Sequence, residues 1–495
     1  MEYSWNKPFL SHPSNRPLKE HLKDVGEACV YYLKAAKVTN ENFVKTAEIV
    51  GKTHDFGKYS TFFQRYLENP QSQKKFSHAP LSAIFASWIV SREFKDPFLT
   101  ATAYLCVLRH HGNLTNFYDV LNHFQNSAVP QSQLDSIGKN LPRISKELSE
   151  IGIYGVDEFF GNIDKIKNDL KKELFNATRK RETSWDEYFK TLLLFSALID
   201  ADKKDAAKIR LTDRYLLPPD LVDKFRQKVF NRQTPMDTLR SELYESVMRS
   251  LEKLVGNQPS ITTITAPTGS GKTLLSLSVA LKLREKLAER GDPPRIIYCL
   301  PFINIIEQTY DVFSRVLESG GIDINPAVLL KHHHLAIPSW NEEKSLHEAL
   351  ELQESWESEI TVTTYVQLMH TLVGYRNSFL KKFHNLANAI IILDEIQTVP
   401  IEYWLLTKKL FKNLTGNMQS HIIFMTATQP LIFSEEEAKE LVPNSSKYFE
   451  GLDRTRLHYN PNEMGIKEAA NLIYEKWMKR QSILAVANTI QSSIK

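Results

Sequence analysis

Apolar side chains recur at helical spacing through most of residues 18–215. The spacing is clear in LKEHLKDVGEACVYYLKAAK, which begins at Leu18, and in WDEYFKTLLLFSALIDADKKDAA, which begins at Trp185. Apolar positions three and four residues apart form one face of a helix, so the pattern predicts an all-α region. Residues of about 130–185 are more charged and less periodic, which indicates an insertion with its own helices.

A different pattern begins near Ile261. Short apolar runs now alternate with helical stretches, and these runs are ITTITA, RIIYCLP, EITVTTY, AIIILDE and HIIFMTAT. Continuous apolar strands separated by helices are typical of a parallel sheet with helices on both faces. The chain is therefore predicted to be multi-domain, with an all-α domain at residues 1–225, an α/β domain at 226–455 and a linker with the start of a further domain at 456–495.

The last residues, SILAVANTIQSSIK, repeat the order of strand and then helix. Ile483–Ala487 are predicted to form a buried strand, and the following residues the start of a helix. A chain rarely ends inside such a unit. We therefore expect this sequence to be a fragment that stops at the beginning of a second α/β domain.

Composition narrows these predictions only a little. A length of 495 residues exceeds what one core usually supports, so two or three domains are expected. Hydrophobic residues make up 42% and charged residues 24%, as in ordinary soluble proteins. The net charge of +4 is too small to indicate nucleic-acid binding by itself, so any such contact requires a local groove.

Cysteine usage and the N-terminus bear on location. The three cysteines, Cys29, Cys106 and Cys299, include no CxxC pair, which argues against a zinc ribbon or a disulfide framework. The N-terminus lacks the basic-then-apolar pattern of a signal peptide. No window approaches 18 uninterrupted apolar residues, so no membrane association is expected. Together these features predict a cytoplasmic protein.

A phosphate-binding loop is predicted at APTGSGKT, which begins at Ala266. A strand precedes it and a helix follows it, so its backbone can wrap the phosphates and the helix amides can face the anion. Ala266 stands where the strict pattern has a leading glycine, and this removes no contact. ATP and Mg are the expected ligands, and the predicted binding residues are Gly269, Ser270, Gly271, Lys272 and Thr273.

A second Gly-Lys-Thr, which begins at Gly51, lacks this context. Thr46 stands where the leading glycine would be, and no strand precedes the tripeptide. We therefore predict the C-terminus of a helix here, with a chance match to the motif.

IIILDEIQ supplies the second element of a nucleotide site. Its apolar residues predict a buried strand that ends at Asp394, whose carboxylate can hold magnesium through water. Glu395 is then placed to orient and deprotonate the attacking water. MTAT follows the next strand and brings the hydroxyls of Thr426 and Thr428 near these carboxylates. This segment is predicted to couple ATP hydrolysis to strand movement.

Histidines and carboxylates are scattered over the predicted helices of the first domain. Each histidine alone fits an ordinary core or surface position, but the set indicates a metal site. Imidazole with carboxylate suits Mn, Fe, Co, Ni or Zn better than calcium. Six or seven ligands suit two bridged ions, an arrangement for in-line attack at phosphorus, and Asp55 is the expected bridge. The candidates are His21, His54, Asp55, His78, His110, His111 and a carboxylate in LIDADKKDAA.

Lys58 lies four residues after His54, so the two side chains could share one face of a helix. A lysine beside a dinuclear centre can steady a phosphate or protonate a leaving oxygen. Lys58 is therefore a candidate catalytic residue, together with Asp55 and Glu395. The alternative is a solvated lysine that follows Gly57.

His-Asp with scattered histidines and a final Ala-Asp is the pattern of HD phosphohydrolases. Because APTGSGKT, DEIQ and TAT follow it, nearly the whole chain resembles the CRISPR-associated helicase–nucleases of type I systems, an HD nuclease fused to a superfamily 2 DExD/H-box helicase. PFINIIEQTY, LLKHHHL and TVTTYVQLMHTL occupy the positions of elements that contact a DNA strand in that family. The resemblance implies an all-α HD-type domain, a RecA-like helicase lobe with a parallel sheet, and the beginning of a second RecA-like lobe.

The resemblance also implies roles for single residues. Lys58 matches the lysine of the HDxxK pattern, and Asp202 matches the final aspartate by its Ala-Asp-basic setting. Asp200, two residues away on the same helix, is the alternative to Asp202 and faces elsewhere. The implied metal ligands are His21, His54, Asp55, His78, His110, His111 and Asp202.

The function implied by the resemblance is a single-stranded DNA nuclease joined to an ATP-dependent 3′–5′ helicase. The nuclease would use two divalent ions of Fe, Mn, Co or Ni. An RNA-guided CRISPR surveillance complex would recruit the enzyme, which would nick and degrade invading DNA in antiviral defence. We expect a monomer.

Two alternatives to this function stay open. The HD part could hydrolyse nucleotides, as other HD proteins do, and dNTP turnover compared with oligonucleotide cleavage separates the two. Alternatively, the chain could bind nucleotide and DNA as a scaffold without catalysis. Background ATP turnover in the presence of single-stranded DNA would favour that reading for the helicase half.

Overall fold

The computed structural model divides into two units, Met1–Phe449 and Glu450–Lys495. It describes residues 7–13, 15–69, 77–126, 129–179, 184–209, 214–229, 234–254, 260–289, 291–333, 351, 353–427, 432–434, 436–451, 459, 461, 464–479 and 482–486.

The N-terminal part of the first unit is helical, as the apolar spacing predicts. A short antiparallel pair of strands, β1 (Leu10–His12) and β2 (Arg16–Pro17), precedes the helices. Within the described residues the helices are α1 (Leu18–Ala35), α2 (Glu41–Thr53), α3 (Thr61–Glu68), α4 (Ala79–Phe94), α5 (Pro97–Arg109), α6 (Phe117–Asn126), α7 (Gln131–Gly138), α8 (Leu141–Glu150), α9 (Val156–Gly161), α10 (Ile163–Arg179), α11 (Trp185–Ala207), α12 (Leu221–Val229) and α13 (Pro235–Lys253). The all-α prediction for this region is confirmed.

Local sequence signals set the starts of the central helices. The Asn40 side chain accepts a hydrogen bond from the backbone N–H of Phe43 at the start of α2, and Asp96 does the same for Phe98 at the start of α5. Such caps satisfy amides that have no partner inside the helix. Helices α4 and α5 are buried on almost every side, which explains why small and apolar residues occur all round them.

The second part of the first unit is a seven-stranded parallel sheet with the strand order β5-β6-β4-β7-β8-β3-β9. Its strands are β3 (Ile261–Thr265), β4 (Ile296–Leu300), β5 (Leu329–His332), β6 (Ile360–Thr364), β7 (Ile390–Asp394), β8 (His421–Thr426) and β9 (Lys439–Glu440). The accompanying helices are α14 (Lys272–Ala288), α15 (Ile303–Ser319), α16 (Tyr365–Val373), α17 (Asn377–Leu380), α18 (Trp404–Met418) and α19 (Ser445–Glu450). This architecture is typical of a RecA-like helicase lobe, so the predicted fold class is confirmed.

Both faces of the sheet are buried, which explains the continuous apolar runs. Successive side chains of a strand point to opposite faces. Ile297 and Cys299 of β4 therefore join the core that continues into the helical region, whereas Tyr298 and Leu300 join the core beneath α13, α14 and α15. The helical region and the sheet thus share one of the two cores.

The parallel strands place their carboxyl ends at one edge of the sheet. Thr265 at the end of β3 pairs with Thr426 of β8, and Asp394 at the end of β7 pairs with Met425. The phosphate loop that follows β3 therefore lies at the same edge as Asp394, Glu395 and Thr426, although these segments are far apart in the sequence.

The second unit contains the helix α20 (Ile466–Met478). The strand predicted at Ile483–Ala487 is not formed in residues 482–486, and Ala487 lies outside the described residues. That prediction was wrong for the described part because an apolar run becomes a strand only when a neighbouring strand accepts its hydrogen bonds. No described strand pairs with these residues.

Helix length and hydropathy also bear on membrane contact. None of the helices in the described ranges combines the length and the apolar composition that a membrane crossing requires.

Candidate metal centre and nucleotide site

The structure brings all the predicted metal ligands of the helical region into one cluster. His21 lies within α1 and Asp202 within α11. The others stand next to helix ends, with His54 and Asp55 after α2, His78 before α4, and His110 and His111 after α5. Five separate chain segments therefore meet at one point inside the helical region.

Four of these residues form the His21 group, which we define as His21, His54, Asp55 and Asp202. All four are buried, and one ligand atom from each lies within 4.8 Å of the others. The Nε2 atom of His21 is 3.2 Å from Asp55 Oδ2 and 3.4 Å from Asp202 Oδ1. The Nε2 atom of His54 is 3.4 Å from each of the same two oxygens.

A second set forms the His78 group, which we define as Asp55, His78, His110 and His111. Its ligand atoms also lie within 4.8 Å of one another. Asp55 Oδ1 is 2.9 Å from His78 Nε2 and 3.4 Å from His110 Nε2, while His111 Nε2 is 3.1 Å from His78 Nε2. His111 is the exposed member, so the cluster opens to solvent on this side.

Asp55 belongs to both groups, with Oδ2 facing one and Oδ1 facing the other. Both oxygens are fully buried and accept no hydrogen bond of ordinary geometry, and the same holds for Asp202 Oδ1. Burial of such acceptors is costly. The ammonium of Lys58 lies 2.5 Å from Asp55 Oδ2, but Asp55 Oδ1 and Asp202 Oδ1 face imidazole nitrogens, so an ion is the fitting partner for them. The imidazole and carboxylate donors suit two divalent transition metals with Asp55 between them.

The other ring nitrogens of the histidines are held by partners outside the cluster. Nδ1 of His54 donates to the carbonyl of Gly51 at 2.8 Å, and Nδ1 of His110 donates to the carbonyl of Val107 at 2.6 Å. Nδ1 of His21 is 2.6 Å from Asp205 Oδ2. These contacts fix the rings so that their Nε2 atoms face the cluster, as outer hydrogen bonds do for metal-bound histidines.

Asp205 and His12 were missed by the sequence reasoning. Asp205 lies three residues after Asp202, a spacing that puts both on one face of α11, and this signal could have found it. His12 comes from β1, and its ring centroid is 5.0 Å from that of His21. No sequence motif contains His12. The residue reaches the cluster through the β1–β2 hairpin, which the sequence analysis did not predict.

Lys58 lies against the same carboxylate. Its Nζ is 2.5 Å from Asp55 Oδ2 and donates to the carbonyl of Ser11 at 3.2 Å. Lys58 is only 2% exposed, which excludes the alternative of a solvated lysine. It stands in the 3₁₀ turn Phe56–Tyr59, rather than on a helix shared with His54.

Charges in the cluster shift the pKa values of its members. Burial raises the pKa of Asp55, but Lys58, His54 and His78 outweigh it and hold that pKa well below its usual value. Burial lowers the pKa of His78 to about 4, although Asp55 opposes the shift. Burial and His110 together lower the pKa of His111 to about 2. The carboxylate is therefore ionised and these two imidazoles are neutral, which is the state in which each can bind a metal.

The structure places Asp202, and not Asp200, in the cluster. Asp200 faces the sheet region, where it accepts hydrogen bonds from Lys204 Nζ at 2.6 Å and from Ser355 Oγ at 2.8 Å. Asp200 also forms a buried trio with Glu357 and His384. The ammonium of Lys204 contacts both carboxylates of that trio, and Lys381 Nζ lies 3.8 Å from Asp200 Oδ1, so two lysines already balance its charge.

The Gly-Lys-Thr at Gly51 lies in the last turn of α2, as predicted. A Cβ atom on Gly51 would lie 2.6 Å from the Cα of Gly26 in α1. The glycine therefore serves the close approach of two helices, and the tripeptide does not form a phosphate loop.

The predicted phosphate loop connects β3 to α14. Gly269 and Gly271 have φ angles of 81° and 87°, which favour glycine. Lys272 is the first residue of α14, Thr273 follows it, and Ser270 Oγ is buried without a hydrogen-bond partner. The loop thus presents backbone and side-chain donors at a helix N-terminus, where an anion is favoured.

The acidic pair faces this loop across the sheet edge. Lys272 Nζ is 3.2 Å from Glu395 Oε1, and the hydroxyl of Tyr298 donates to Asp394 Oδ2 at 2.9 Å. Asp394 Oδ1 is buried without a hydrogen-bond partner, a position that fits a magnesium ion and its water. Burial raises the pKa of Asp394, and Glu395 adds to this, while the hydrogen bond from Tyr298 lowers it.

Gln397 connects the acidic pair to the next strand and was missed by the sequence reasoning. Its amide N–H donates to Glu395 Oε2, and its Oε1 accepts a hydrogen bond from Thr426 Oγ1 at 2.8 Å. Its place in DEIQ was the available signal. Thr428, the other hydroxyl of the predicted coupling segment, lies outside the described residues.

The three segments predicted to contact a DNA strand follow or form neighbouring strands of the sheet. PFINIIEQTY leads into α15, with Phe302 60% exposed at its start, and TVTTYVQLMHTL spans the end of β6 and α16. LLKHHHL covers β5, and its residues from His334 onwards lie outside the described residues.

Comparisons with known proteins agree with both parts of the chain. Residues 245–435 match the DEAD/DEAH box helicase family. The chain is 30% identical over 446 residues to the CRISPR-associated nuclease/helicase Cas3 of Haloferax volcanii, covering 80% of this chain and 46% of that protein. Over 180 residues it is 25% identical to the CRISPR-associated endonuclease Cas3-HD of Pyrococcus furiosus, covering 36% of this chain and 67% of that protein.

The chain also has a similar fold to the crystal structure of T. fusca Cas3-ATP, with a TM-score of 0.50 and 15% identity over 93% of this chain and 52% of that chain. At this identity the likeness shows the fold alone. The chain thus spans about half the length of the Haloferax protein and of the T. fusca chain.

Proposed function

We propose that this chain joins a metal-dependent nuclease for single-stranded DNA to an ATP-dependent helicase or translocase. The observation that carries the nuclease half is the carboxylate of Asp55, whose two oxygens face two separate groups of imidazoles. Similarity to a CRISPR-associated nuclease/helicase over 80% of the chain supports the union of both halves.

Two divalent ions of Fe, Mn, Co or Ni would be held by the His21 group and the His78 group, with Asp55 shared between them. When bound, such ions polarise phosphoryl oxygens and activate water for in-line attack. The residues around them keep the Nε2 atoms directed inward, and the low pKa of Asp55 keeps its carboxylate ionised at neutral pH.

Substrate would reach this centre from the side of His111, the exposed ligand. The ammonium of Lys58 lies beside Asp55, where it can bind a phosphate oxygen or give a proton to the leaving oxygen. We therefore assign Lys58 to substrate binding and leaving-group protonation, and Asp55 to the bridging position.

In the nucleotide half, Gly269, Ser270, Gly271, Lys272 and Thr273 would bind the phosphates of ATP. Asp394 would hold magnesium through water, and Glu395 would orient the attacking water. The hydrogen bonds of Gln397 to Glu395 and Thr426 supply a path by which hydrolysis reaches the next strand of the sheet. Movement along DNA in the 3′–5′ direction follows from the resemblance of the motifs, and an arginine from a second lobe would complete ATP hydrolysis.

The partner that we propose is an RNA-guided CRISPR surveillance complex, which would deliver the displaced DNA strand. This proposal rests on the resemblance of the motif order and on the similarity to CRISPR-associated proteins. It implies antiviral defence in the cytoplasm, with the chain acting as a monomer.

The test uses the whole chain, first stripped of metal by a chelator and then reloaded with Mn, Co, Ni or, without oxygen, Fe. We expect a labelled single-stranded oligonucleotide to be cut only after reloading, and His54→Ala to abolish the cleavage. Cleavage by the chelated, metal-free protein would contradict the proposal. Faster turnover of dNTPs than of the oligonucleotide would favour a nucleotide phosphohydrolase, and background ATP turnover with single-stranded DNA would favour a scaffold role for the helicase half.

A further inference from the structure

The loop that carries two of the metal-cluster histidines is held by the sheet region. This loop, residues 110–114, follows α5 and contains His110 and His111. The Nδ2 atom of Asn377 donates to the carbonyl of His110 at 3.0 Å and to the carbonyl of Gly112 at 3.3 Å. The backbone N–H of Asn377 donates to Asn113 Oδ1 at 3.2 Å. One asparagine thus contacts three of the five residues of the loop.

A backbone hydrogen bond adds to this contact. The N–H of Leu114 donates to the carbonyl of Tyr375 at 2.8 Å. The connection between α16 and α17 (residues 374–376) and Asn377 at the start of α17 therefore run beside residues 110–114 and are bonded to both ends of that loop. The hydroxyl of Tyr188 donates to the carbonyl of Leu372 at 2.7 Å, so α11 also fixes the end of α16.

These hydrogen bonds lie just after the C-terminus of α5, where backbone carbonyls lack partners within the helix. The last four carbonyls of a helix have no partner within it. Val107 O accepts from Nδ1 of His110, and Arg109 O accepts from the N–H of Gly112. The carbonyl of His110 accepts from Asn377, a residue more than 260 positions away in the sequence. Without that donor, the carbonyls of His110 and Gly112 would lose their bonds to the sheet region, while the bonds at Asn113 and Leu114 would remain.

We propose that Asn377 is a positioning residue for the His78 group, so that the helicase lobe completes one half of the nuclease metal centre. This inference rests on the proposed function, since it requires the cluster to bind two ions. Asn377 touches neither ligand nitrogen. It acts through the backbone of residues 110–112, which sets where the imidazoles of His110 and His111 stand relative to Asp55.

The His21 group provides an internal comparison. Its histidines come from α1 and from the end of α2, and its Nδ1 donors are bonded to Gly51 and Asp205 within the helical region. Loss of the Asn377 amide should therefore weaken one of the two ion sites and leave the other unchanged. A general loss of stability would not be selective in this way.

The test measures Mn²⁺ binding to the full chain by electron paramagnetic resonance, comparing the natural sequence with Asn377→Ala and Asn377→Asp. Asn377→Asp keeps the size of the side chain but removes its N–H donors. The unaltered chain is expected to bind two Mn²⁺ ions and to show the spectrum of a coupled pair. In both variants we expect one site to weaken by about 10–100-fold, with loss of the coupled spectrum, as for other outer-shell changes.

Asn413→Asp is the matched control, because its side chain also donates to a backbone carbonyl, that of Lys409 at 2.8 Å in α18, away from the cluster. It should bind both ions like the natural chain. Two sites of unchanged affinity and an unchanged coupled spectrum in the Asn377 variants would overturn the inference alone. Failure of the unaltered chain to bind a pair of ions would instead overturn the proposed metal centre, and the inference with it.

Discussion

The candidate metal cluster and the nucleotide site are built in opposite ways. The ligands of the cluster come from five distant segments, and all of them except His111 are buried. Hydrogen bonds to the Nδ1 atoms orient the rings of His21, His54 and His110. The nucleotide site draws most of its residues from one contiguous loop, whose glycines Gly269 and Gly271 are exposed. The difference suits the ligands, because an ion that stays bound tolerates a closed site, whereas a nucleotide must enter and leave.

One helix connects the two sites. At the start of α16, the hydroxyl of Tyr365 donates to the carbonyl of Asp394 in the nucleotide site. Just beyond its other end, Asn377 donates to the loop of His110 and His111. The two regions are therefore distinct in construction but contact the same helix, and variants in one region test how far the other depends on it.

The largest effect is expected from Asp55→Asn, which keeps the shape of the side chain but removes the shared charge. Under the proposed bridging role, loss of this carboxylate should remove several kcal/mol of metal-dependent stabilisation, which is about 10³-fold or more in cleavage rate. Oligonucleotide cleavage and ATP hydrolysis are measured on the same preparation. ATP hydrolysis should be unchanged, and a parallel loss of both activities would refute the separation of the two sites.

Lys272→Ala should give the converse result. Without the ammonium that reaches the terminal phosphates, ATP hydrolysis should fall by about 10²–10³-fold, the range for removal of one preorganised donor. Metal-dependent cleavage of a short single-stranded oligonucleotide, measured without ATP, should be retained. If that cleavage fell as far as the ATPase, the nuclease would need an intact phosphate loop.

A smaller effect is expected from Asp205→Asn. The anionic partner of His21 Nδ1 would be lost, and metal affinity should fall by about 10–100-fold. Competition with a metal chelator measures the change. Asp200→Asn is the matched control on the same helix, because Asp200 faces Lys204 and Ser355 and should affect stability without changing metal affinity. Equal losses of affinity in the two variants would show that α11 acts only as a scaffold.

The smallest effect concerns the contact between the two regions, where Lys382 is buried. Burial lowers its pKa from 10.5 to about 7, with Glu354 opposing the shift and Lys381 and Lys203 adding to it. The unfolded chain therefore binds more protons than the folded chain between pH 7 and 10.5, so this residue makes the free energy of unfolding rise with pH in that window.

Lys382→Met should remove this dependence. The variant is expected to be more stable than the natural chain near pH 6–7, because it buries no ammonium, and the excess should shrink as the pH rises. Urea denaturation at several pH values measures it. A difference in stability that stays constant with pH would mean that Lys382 has the same pKa in the folded chain as in the unfolded chain.

The sequence was most informative where the chemistry is local. The phosphate loop and the acidic pair each depend on residues within a few positions of one another. Hydrogen-bond geometry between near neighbours is set by residue type and spacing, so these features could be predicted. The parallel sheet could also be predicted, because strands that are buried on both faces read as continuous apolar runs between helices.

Tertiary packing determined which side chains meet, which residue spacing in the sequence could not predict. The sequence showed that Asp200 and Asp202 face different ways on α11, but only the fold shows that Asp202 meets the histidines and Asp200 meets Lys204. His12 and Asn377 have no motif, since each acts through a contact made by a distant segment. The run at Ile483–Ala487 has the composition of a strand without a described partner to pair with.

The chain by itself therefore determined which residues could bind phosphate and which could bind a metal, because residue type fixes the chemistry of a side chain. The tertiary structure decided which of these side chains converge. Convergence depends on how α1, α2, α4, α5 and α11 pack around Asp55 and on how the sheet region holds the loop after α5. Those contacts join residues far apart in sequence, and the packing of buried surfaces selects them.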